Sequence, residues 1–396
     1  MTKENQNTHL MLGLMKGLLF EENSLMKKKI VLLNCCKGLY GGVESFLLNI
    51  FRRVDKDKFE VTFLTCGIST YDMFIDEIKN NGGNIDCIDG FPDSLYNSLL
   101  LYDKLKRYFK ENQPDVVHIN SSGLMFQAIA SRAAKKAKVS QIILHSHNFV
   151  PNISNTKKAI RTIISKFLTN NGTCFLSCSR GASEWMFENK MLDNVEVIPN
   201  GINTDQFRYS PERKAEFLKK INISGDNLLL GNIGRFQEQK NHRFMIEVLE
   251  KVLVHKKNTL LLLVGEGELK EEIVNISKEK GIDNHIVYLG ERKDIGDFLS
   301  AIDVFIFPSL FEGFGIAALE AQAAGVRTIV SNTIPSEVNV TGEVTYLPID
   351  NVEIWADKIL SLDLDHDRLS DNEKVKNSIY DADNTAKRMS EIYSGY

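Results

Sequence analysis

A repeated alternation of strand-length apolar runs with helix-length segments constrains the fold of this chain more than any other feature. In the first half the runs are KIVLLNC, FEVTFLTC, VVHIN, QIILHSH, TCFLSC and VEVIPN. The second half repeats the rhythm with NLLLGNIG, TLLLLVGEG, HIVYLGE, DVFIFPS, VRTIVSN and EVTYLP. Such alternation is typical of parallel sheets with crossover helices. It predicts an α/β protein built from two Rossmann-like lobes with parallel sheets facing a cleft.

The domain boundaries follow from where this rhythm is interrupted. The 396 residues are about twice what one compact core usually holds, and a polar, charged stretch around Pro211 separates the two sets of runs. We predict an N-terminal extension over 1–26, an N-terminal Rossmann-like domain over 27–205 and a C-terminal one over 206–375. Residues 376–396 have helical apolar spacing and are predicted to form a C-terminal helix that returns to the first domain.

The charge balance argues against a dedicated nucleic-acid-binding protein. The chain has 48 Lys and Arg against 52 Asp and Glu, a formal net charge of −4. The charges are unevenly distributed, because residues 116–183 contain no Asp or Glu but nine Lys or Arg. This region is expected to meet an anionic partner, with a solvated surface whose counter-charges lie elsewhere as the alternative.

The cysteines and the N-terminal residues bear on location. The six cysteines match no zinc-site spacing, and no secretory leader precedes them, so we expect a cytoplasmic protein. The early apolar run LMLGLMKGLLF is interrupted by Lys16 and is too short to span a membrane. Residues 1–25 are therefore either the result of an upstream start or a weak interfacial helix.

Two glycine-containing turns are candidates for phosphate binding. Gly41 and Gly42 precede a predicted helix, whose N-terminus offers free N–H groups and partial positive charge. In the second half, Gly234 opens the segment GRFQEQKN after a strand. Its Arg235 and Lys240 can converge on one diphosphate, the guanidinium as a fork and the ammonium as a point charge. A structural turn and a surface salt bridge are the respective alternatives.

The segment PSLFEGFGIAALEAQAAG is the most informative. Glu312 lies in a glycine-rich turn after a strand, and Glu320 follows a little over two helical turns later. The two carboxylates are expected to line the start and one face of a helix at the carboxyl edge of the sheet, where they can accept hydrogen bonds from sugar and ribose hydroxyls. Phosphate oxygens can be bound by the backbone N–H groups of Gly313, Phe314, Gly315 and Ile316.

Two histidines and one further glycine complete the candidates. His145 and His147 end a strand on one face, and either can contact a substrate hydroxyl. No third ligand with zinc spacing lies near them, so no metal site is predicted. The segment GEGEL, which begins at Gly265, lacks the third glycine of a dinucleotide fingerprint and disfavours a nicotinamide oxidoreductase.

Taken in order, GLYGGVES, HSHN, VIPNGIN, GRFQEQKN, VGEGEL, YLGERKD and PSLFEGFGIAALEAQAAG resemble the family 4 glycosyltransferases of GT-B fold. The resemblance extends from about residue 28 to the last helix and is strongest for bacterial exopolysaccharide and capsule enzymes. It implies a retaining, metal-independent hexosyltransferase that needs no cofactor. Its donor would be a nucleotide diphosphate sugar, most often a UDP-sugar in this family, and its acceptor a hydroxyl group. A lipid-diphosphate-linked glycan is our hypothesis for the molecule that carries this hydroxyl.

The same resemblance implies roles for the candidate residues. Arg235 and Lys240 would bind the diphosphate, with Gly234 and Gly265 beside the donor. Glu320 would bind the ribose hydroxyls and Glu312 the donor hexose. The turn at Gly41 and Gly42 would close over the phosphates, and either His147 or His145 would contact the hexose. The N-terminal domain would face the acceptor, and the C-terminal domain would bind the nucleotide sugar.

A basic amphipathic segment suggests how such an acceptor is reached. Residues 154–170 combine apolar positions (Ile160, Ile163, Ile164, Phe167, Leu168) with basic ones (Lys157, Lys158, Arg161, Lys166). Such a helix suits anionic lipid head groups at the inner face of the plasma membrane, although its apolar side can instead pack on the sheet. A nucleotide-sugar epimerase of the same architecture and a non-catalytic nucleotide-sugar-binding protein remain alternative functions.

Overall fold

The computed structural model describes residues 27–35, 42–67, 71–90, 93–120, 123–147, 155–223 and 226–395. The predicted N-terminal extension over 1–26 lies outside these residues, as does Gly41. Within the described ranges, no helix is both long enough and apolar enough to cross a membrane.

The first sheet has seven strands in the order β3-β2-β1-β4-β5-β6-β7. The strands are β1 (Lys28–Asn34), β2 (Phe59–Cys66), β3 (Asn84–Ile88), β4 (Val116–Asn120), β5 (Gln141–Ser146), β6 (Cys174–Ser177) and β7 (Glu196–Val197). β1 pairs in parallel with both β2 and β4, so that Ile30 lies opposite Val61 and Val116. The predicted parallel α/β arrangement is confirmed for this sheet.

Six helices accompany this sheet among the described residues: α1 (Gly42–Arg53), α2 (Ile75–Asn80), α3 (Leu95–Asn112), α4 (Leu124–Lys136), α5 (Asn155–Asn171) and α6 (Arg180–Met186). The crossovers through α3, α4 and α5 all move in the same direction along the strand order, so right-handed connections place these three helices on one face of the sheet. In agreement, α4 packs against both α3 and α5. The other face is covered by α1 and α2.

The second sheet has six strands in the order β10-β9-β8-β11-β12-β13. The strands are β8 (Leu228–Ile233), β9 (Thr259–Val264), β10 (Ile286–Gly290), β11 (Val304–Phe307), β12 (Arg327–Ser331) and β13 (Thr345–Leu347). Their parallel pairing confirms the second Rossmann-like sheet. The remaining helices are α7 (Thr204–Phe207), α8 (Pro211–Lys220), α9 (His242–His255), α10 (Lys270–Glu279), α11 (Ile295–Ala301), α12 (Ile316–Ala323), α13 (Val352–Ser361), α14 (Arg368–Lys376) and α15 (Ala382–Ser394).

The described residues fall into two compact units. The first contains residues 27–145, 155–175 and 389–395, and the second contains 146–147 and 176–388, each without the residues that are not described. The seven-stranded sheet ends at Val197 and the six-stranded sheet begins at Leu228, so the boundary predicted after residue 205 lies between the sheets and stays a prediction.

The last residues of α15 belong to the first unit and are held there by a buried hydrogen-bond chain. The Tyr393 hydroxyl lies 2.8 Å from His118 Nδ1, and His118 Nε2 lies 3.1 Å from His145 Nδ1. The Gln141 amide donates to the Ile392 carbonyl over 2.7 Å. The apolar positions that predicted this helix are buried: Ala386, Met389, Ile392 and Tyr393.

Strand β3 is the one strand of the first sheet that the apolar pattern did not predict. It lies at the edge of the sheet, and none of its residues is fully buried. Its central residue is Asp86, whose carboxylate accepts a hydrogen bond from the Tyr108 hydroxyl over 2.5 Å. An edge strand can satisfy such a polar residue and therefore needs no continuous apolar run.

Candidate active site

The loops that follow the central strands of the second sheet meet at its carboxyl edge, where ligands bind in open α/β sheets. The Gly234 N–H donates to the Val264 carbonyl over 3.0 Å, and the Gly265 N–H donates to the Gly290 carbonyl over 2.9 Å. The ends of β8, β9 and β10 are thereby joined. The motifs GRFQEQKN, VGEGEL and YLGERKD, which are separated in sequence, form one surface.

Gly265 is required by this close approach. Its φ of +136° is a conformation that L side chains rarely adopt, and a Cβ there would overlap the carbonyl oxygen of Gly234. The neighbouring Phe236 N–H donates to the Glu266 carbonyl over 3.0 Å, which continues the contact between the two loops. Gly265 therefore supports the loop that carries Arg235 and Lys240.

Lys240 and Glu312 form an ion pair at the centre of this edge. The Lys240 ammonium donates to Glu312 Oε1 over 2.7 Å, and the two side chains are only 15% and 11% exposed. The same ammonium lies 4.8 Å from the centre of the Phe307 ring. Lys240, which the resemblance assigns to the diphosphate, and Glu312, which it assigns to the donor hexose, thus contact each other directly.

Backbone and amide hydrogen bonds hold the two loops that carry this ion pair together. The Leu310 N–H donates to the Gln239 carbonyl over 2.8 Å, and the Gln239 side-chain amide donates to the Phe311 carbonyl over 2.8 Å. The Asn241 amide donates to the Pro308 carbonyl over 3.2 Å. Neither Gln239 nor Asn241 could be predicted from the sequence, since amide side chains in loops are common and their partners lie about 70 residues away in the chain.

Arg235 lies in the same loop but is exposed. Among the described residues, its guanidinium has neither an ion pair nor a hydrogen bond, whereas Lys240 is paired with Glu312. The predicted convergence of Arg235 and Lys240 on one diphosphate remains a prediction. Gly234 lies against Lys240, because a Cβ on Gly234 would come within 3.1 Å of the Lys240 side chain.

The second carboxylate, Glu320, lies within α12, whereas Glu312 lies four residues before that helix begins at Ile316. Glu312 therefore lies in the turn before the helix and Glu320 on the helix itself, which agrees with the expectation that the two acids line its start and one face. Burial raises the pKa of Glu320 to about 7. In the described part of the chain, no basic group pairs with its carboxylate. Glu320 is thus an acid with unused hydrogen-bonding capacity at this edge.

The start of α12 is set by Gly315, whose φ of +102° is in the left-handed region. The side chain of Phe314 is buried and stacks on Tyr380, with ring centres 4.9 Å apart, so only its backbone is available to a ligand. A Cβ on Gly313 would meet no atom within 4 Å. The first N–H groups of a helix have no partner within it, and phosphate binding at Gly313 to Ile316 remains a prediction.

The two histidines of the HSHN motif differ in environment. His145 is fully buried and stacks on His118 with a ring-centre distance of 5.3 Å, while Phe46 packs edge-on against it. This is the environment of a core residue, so a direct contact between His145 and a hexose is not supported. His147 is partly exposed, and burial lowers its pKa to about 3, with a hydrogen bond to Asn200 acting in the opposite direction. Its imidazole is therefore neutral near pH 7.

Gly42 is the first residue of α1 and is exposed. The turn before it, which includes Gly41, lies outside the described residues, so the predicted closure over phosphates is an expectation only. Two buried histidines were not predicted from the sequence, His118 in the first sheet and His242 in this loop region. His242 begins α9 and stacks on Phe236 at 4.2 Å. Burial and, to a lesser extent, the Lys240 charge lower its pKa to about 4.

A pocket of about 400 Å³ opens in the second unit beside the ion pair. Its wall includes Glu312 and Gly313 on one side, and Arg180 and Glu184 on another. Across the described ranges, no group of three or more His, Cys, Asp or Glu is placed to hold a metal ion. Metal independence remains a prediction, to be tested by experiment.

Two family models match the chain. The model described as "Glycosyltransferase Family 4" matches residues 40–206, and the model described as "Glycosyl transferases group 1" matches residues 213–380. The second range contains the whole carboxyl edge of the second sheet with Arg235, Lys240, Glu312 and Glu320.

Curated relatives cover most of the chain. EpsF of Bacillus subtilis (strain 168), which is named as a glycosyltransferase, is 29% identical over 329 residues, or 81% of this chain and 84% of the relative. The UDP-Gal:alpha-D-GlcNAc-diphosphoundecaprenol alpha-1,3-galactosyltransferase of Escherichia coli is 25% identical over 390 residues, or 90% of this chain and 94% of the relative.

Solved structures share the fold. HepE of Anabaena, crystallised in complex with UDP, superposes with a TM-score of 0.76 at 15% identity and covers 94% of this chain and 100% of its own. A glycosyltransferase from Rickettsia africae ESF-5 superposes with a TM-score of 0.74 at 20% identity and covers 93% of this chain and 98% of its own.

Proposed function

We propose that this chain, which belongs to the family 4 glycosyltransferases and has the GT-B fold, is a retaining, metal-independent enzyme that uses a UDP-hexose. One relative from Escherichia coli is named as a galactosyltransferase and another, WclY, as an O-antigen biosynthesis glycosyltransferase, and hexosyl transfer in exopolysaccharide or O-antigen synthesis is the role that we assign to this chain. The proposal adds the donor, the stereochemistry and a lipid-diphosphate-linked acceptor.

The buried contact between Lys240 and Glu312 carries the donor assignment. A nearly desolvated ammonium at the carboxyl edge of a parallel sheet is a strong binding group for a diphosphate. Arg235 adds an exposed guanidinium from the same loop, and Glu320 offers a carboxylate for ribose hydroxyls. The UDP complex of HepE, a protein with the same fold, supports a uridine nucleotide as the carrier of the donor sugar.

The proposed chemistry is electrostatic. The bond between the anomeric carbon and the diphosphate oxygen breaks, and its electron pair leaves with the diphosphate while the sugar becomes oxocarbenium-like. Lys240 and Arg235 offset the negative charge that develops on the leaving group, the task that a metal ion performs in other enzymes. The acceptor oxygen then bonds to the anomeric carbon on the face that the diphosphate left, and its hydroxyl proton passes to the departing diphosphate oxygen.

Three measurements test this assignment. The protein is incubated with UDP-glucose, UDP-galactose and UDP-N-acetylglucosamine, and release of UDP is followed with and without EDTA. One donor is expected to be consumed at a rate that EDTA does not change. The product of an α-linked donor is expected to keep the α configuration by proton NMR. A β-linked product, or activity that is lost with EDTA and restored by Mg²⁺, would contradict the proposal.

The acceptor proposal is supported by one relative and by α5. The Escherichia coli relative is named for a diphosphoundecaprenol-linked acceptor, which is a membrane lipid. On α5, Ile160, Ile163 and Phe167 are 53%, 59% and 50% exposed, whereas Leu168 is fully buried. One side of the helix therefore packs inward, whereas a second apolar stripe faces outward, and we propose that this outward stripe contacts lipid.

Neighbouring helices also carry exposed apolar residues. Tyr96 and Leu99 on α3 are 70% and 59% exposed, and Met125 on α4 is 49% exposed. Because α3, α4 and α5 all run against the parallel strands, these N-terminal positions lie toward the same edge of the first sheet. Together with the acid-free stretch 116–183, this face suits an anionic lipid surface.

Vesicle co-sedimentation tests the membrane contact. Binding to phosphatidylcholine vesicles is expected to rise when phosphatidylglycerol is included and to fall about tenfold in an Ile163→Gln, Phe167→Gln double variant. Val254→Gln, which changes an equally exposed apolar residue on α9, serves as the matched control. Equal binding to neutral and anionic vesicles would exclude this surface as the docking site.

A further inference from the structure

The pocket beside the Lys240–Glu312 ion pair has a composition unlike that of a phosphate site. Three acidic residues border it, Glu184, Glu312 and Glu337, against one basic residue, Arg180. Arg180 lies 3.4 Å from Glu184, and the charge of Glu312 is balanced by Lys240. Glu337 is exposed and forms no ion pair with any described residue. The remaining negative charge disfavours a diphosphate and favours a neutral ligand rich in hydroxyl donors.

One wall of the pocket is aromatic. Phe311 is 45% exposed although it is large and apolar. Its backbone carbonyl accepts a hydrogen bond from Gln239, the residue before Lys240. Both residues belong to the loop 234–241, which we call the donor-binding loop because of its proposed role. An aromatic face beside carboxylates is suited to a pyranose ring, whose C–H groups pack on the ring while its hydroxyls donate to the acids.

The pocket is open and its wall is fixed. A Cβ on Gly313 would meet no atom within 4 Å, so free space lies in front of this residue. Two further lining residues are held by hydrogen bonds: the Thr333 hydroxyl donates to the Ser309 carbonyl over 2.9 Å, and the Ser179 hydroxyl, which caps α6, accepts from the Ala182 N–H. A volume of about 400 Å³ lies within the usual range for small-ligand pockets.

We propose that this pocket binds the sugar ring of the acceptor glycan, with Phe311 as the stacking surface and Glu337 and Glu184 as hydroxyl acceptors. The assignment rests on the proposed transferase function. Glu312 lies at the boundary between this pocket and the ion pair with Lys240, so an acceptor sugar held here is next to the position assigned to the donor hexose.

Ligand-observed saturation-transfer NMR on the full chain loaded with UDP tests the pocket directly. The probes are the methyl α-glycosides of glucose, galactose and N-acetylglucosamine. At least one is expected to receive saturation from the protein. The signal is expected to fall about fivefold in Phe311→Ala and about threefold in Glu337→Gln. Ile379→Ala and Glu279→Gln, which change exposed residues away from the pocket, are the matched controls.

The outcomes separate this proposal from the proposed function. Absence of glycoside contact, or equal signals in wild type and pocket variants, would overturn the pocket assignment. Glycoside contact that disappears when UDP is replaced by a UDP-hexose would assign the pocket to the donor hexose instead. UDP affinity and UDP-hexose hydrolysis of the wild type are measured separately. If the wild type neither binds UDP nor hydrolyses a UDP-hexose, the transferase proposal is overturned. The NMR result would still decide whether the pocket binds sugars.

Discussion

Lys240 Nζ donates a hydrogen bond to Glu312 Oε1 over 2.7 Å, and this contact joins the loop after β8 to the loop after β11. Both side chains are largely removed from water, so each depends on the other for compensation of its charge. An incoming diphosphate is an additional anion next to Lys240. Binding of the donor is therefore expected to weaken the contact between Lys240 and Glu312.

The two cations of the donor-binding loop are predicted to differ in their effect on stability. Arg235→Ala and Lys240→Ala should each lower turnover about tenfold or more, because each removes positive charge from the leaving diphosphate. Lys240→Ala leaves Glu312 without its partner and should also lower the free energy of unfolding by about 3 kcal/mol. Arg235 is exposed, so Arg235→Ala should leave stability unchanged. Steady-state kinetics and urea denaturation measure the two effects, with Arg208→Ala as control. Normal turnover of Arg235→Ala would contradict its assigned role.

A comparison of two glycines tests the packing of the donor-binding loop. Gly265→Ala places a Cβ on the Gly234 carbonyl and should lower both stability and UDP affinity. Gly281 also has a positive φ, of +67°, but a Cβ there would meet no atom within 4 Å. Gly281→Ala should therefore cost only about 1 kcal/mol and leave UDP affinity unchanged. Thermal unfolding and calorimetric titration with UDP measure both variants. Equal effects of Gly265→Ala and Gly281→Ala would argue against an overlap between the new Cβ and the Gly234 carbonyl.

Glu320 is predicted to make nucleotide binding pH-dependent. Its pKa is raised to about 7 by burial, so the carboxylate is mostly protonated below neutrality and mostly charged above it. Ribose hydroxyls bind more strongly to a charged acceptor. UDP affinity should therefore increase about threefold or more as the pH rises through 7. UDP is titrated into the wild type and into Glu320→Gln at the same pH values, so that the ionisation of UDP itself affects both measurements equally. A pH dependence that persists in Glu320→Gln would exclude this residue as its source.

His242 is predicted to lower stability in acid. Its pKa is about 4 in the folded protein, below the ordinary value of 6.5, so between these values the unfolded chain binds more protons. The free energy of unfolding should fall as the pH drops below 6.5, by up to about 1.4 kcal/mol per pH unit, and level off below about pH 4. His242→Phe should reduce this loss, while His255→Phe, at an exposed position, should not. Urea denaturation across this pH range measures the difference.

Tyr393 is predicted to hold the end of α15 through its hydroxyl. Tyr393→Phe keeps the ring but removes the hydrogen bond to His118, and should cost about 1 kcal/mol of unfolding free energy. Tyr96→Phe, which changes an exposed tyrosine of the same unit, is the control. Hydrogen exchange should show faster opening of residues 389–394 in Tyr393→Phe only. Unchanged exchange there would show that packing alone holds the helix.

The sequence by itself determined the two parallel sheets and the segments that carry the donor-binding residues. Apolar strand-length runs must be buried on both faces, and only crossover helices can cover them, so the alternation specified the architecture. It failed at β3, because an edge strand with Asp86 at its centre has little apolar content to detect. It also left His145 and His147 equivalent, since strand periodicity places both on one face.

Tertiary structure alone decided which side chains meet. Lys240 and Glu312 are 72 positions apart, and no local pattern predicts that they pair with each other. His145 lies in a core cluster with His118 and Tyr393, a residue from the end of the chain. The pocket lined by Phe311 and Glu337 arises from loops of different strands. Local sequence encodes which face of an element is apolar, whereas contacts between loops depend on how the strands are ordered and packed.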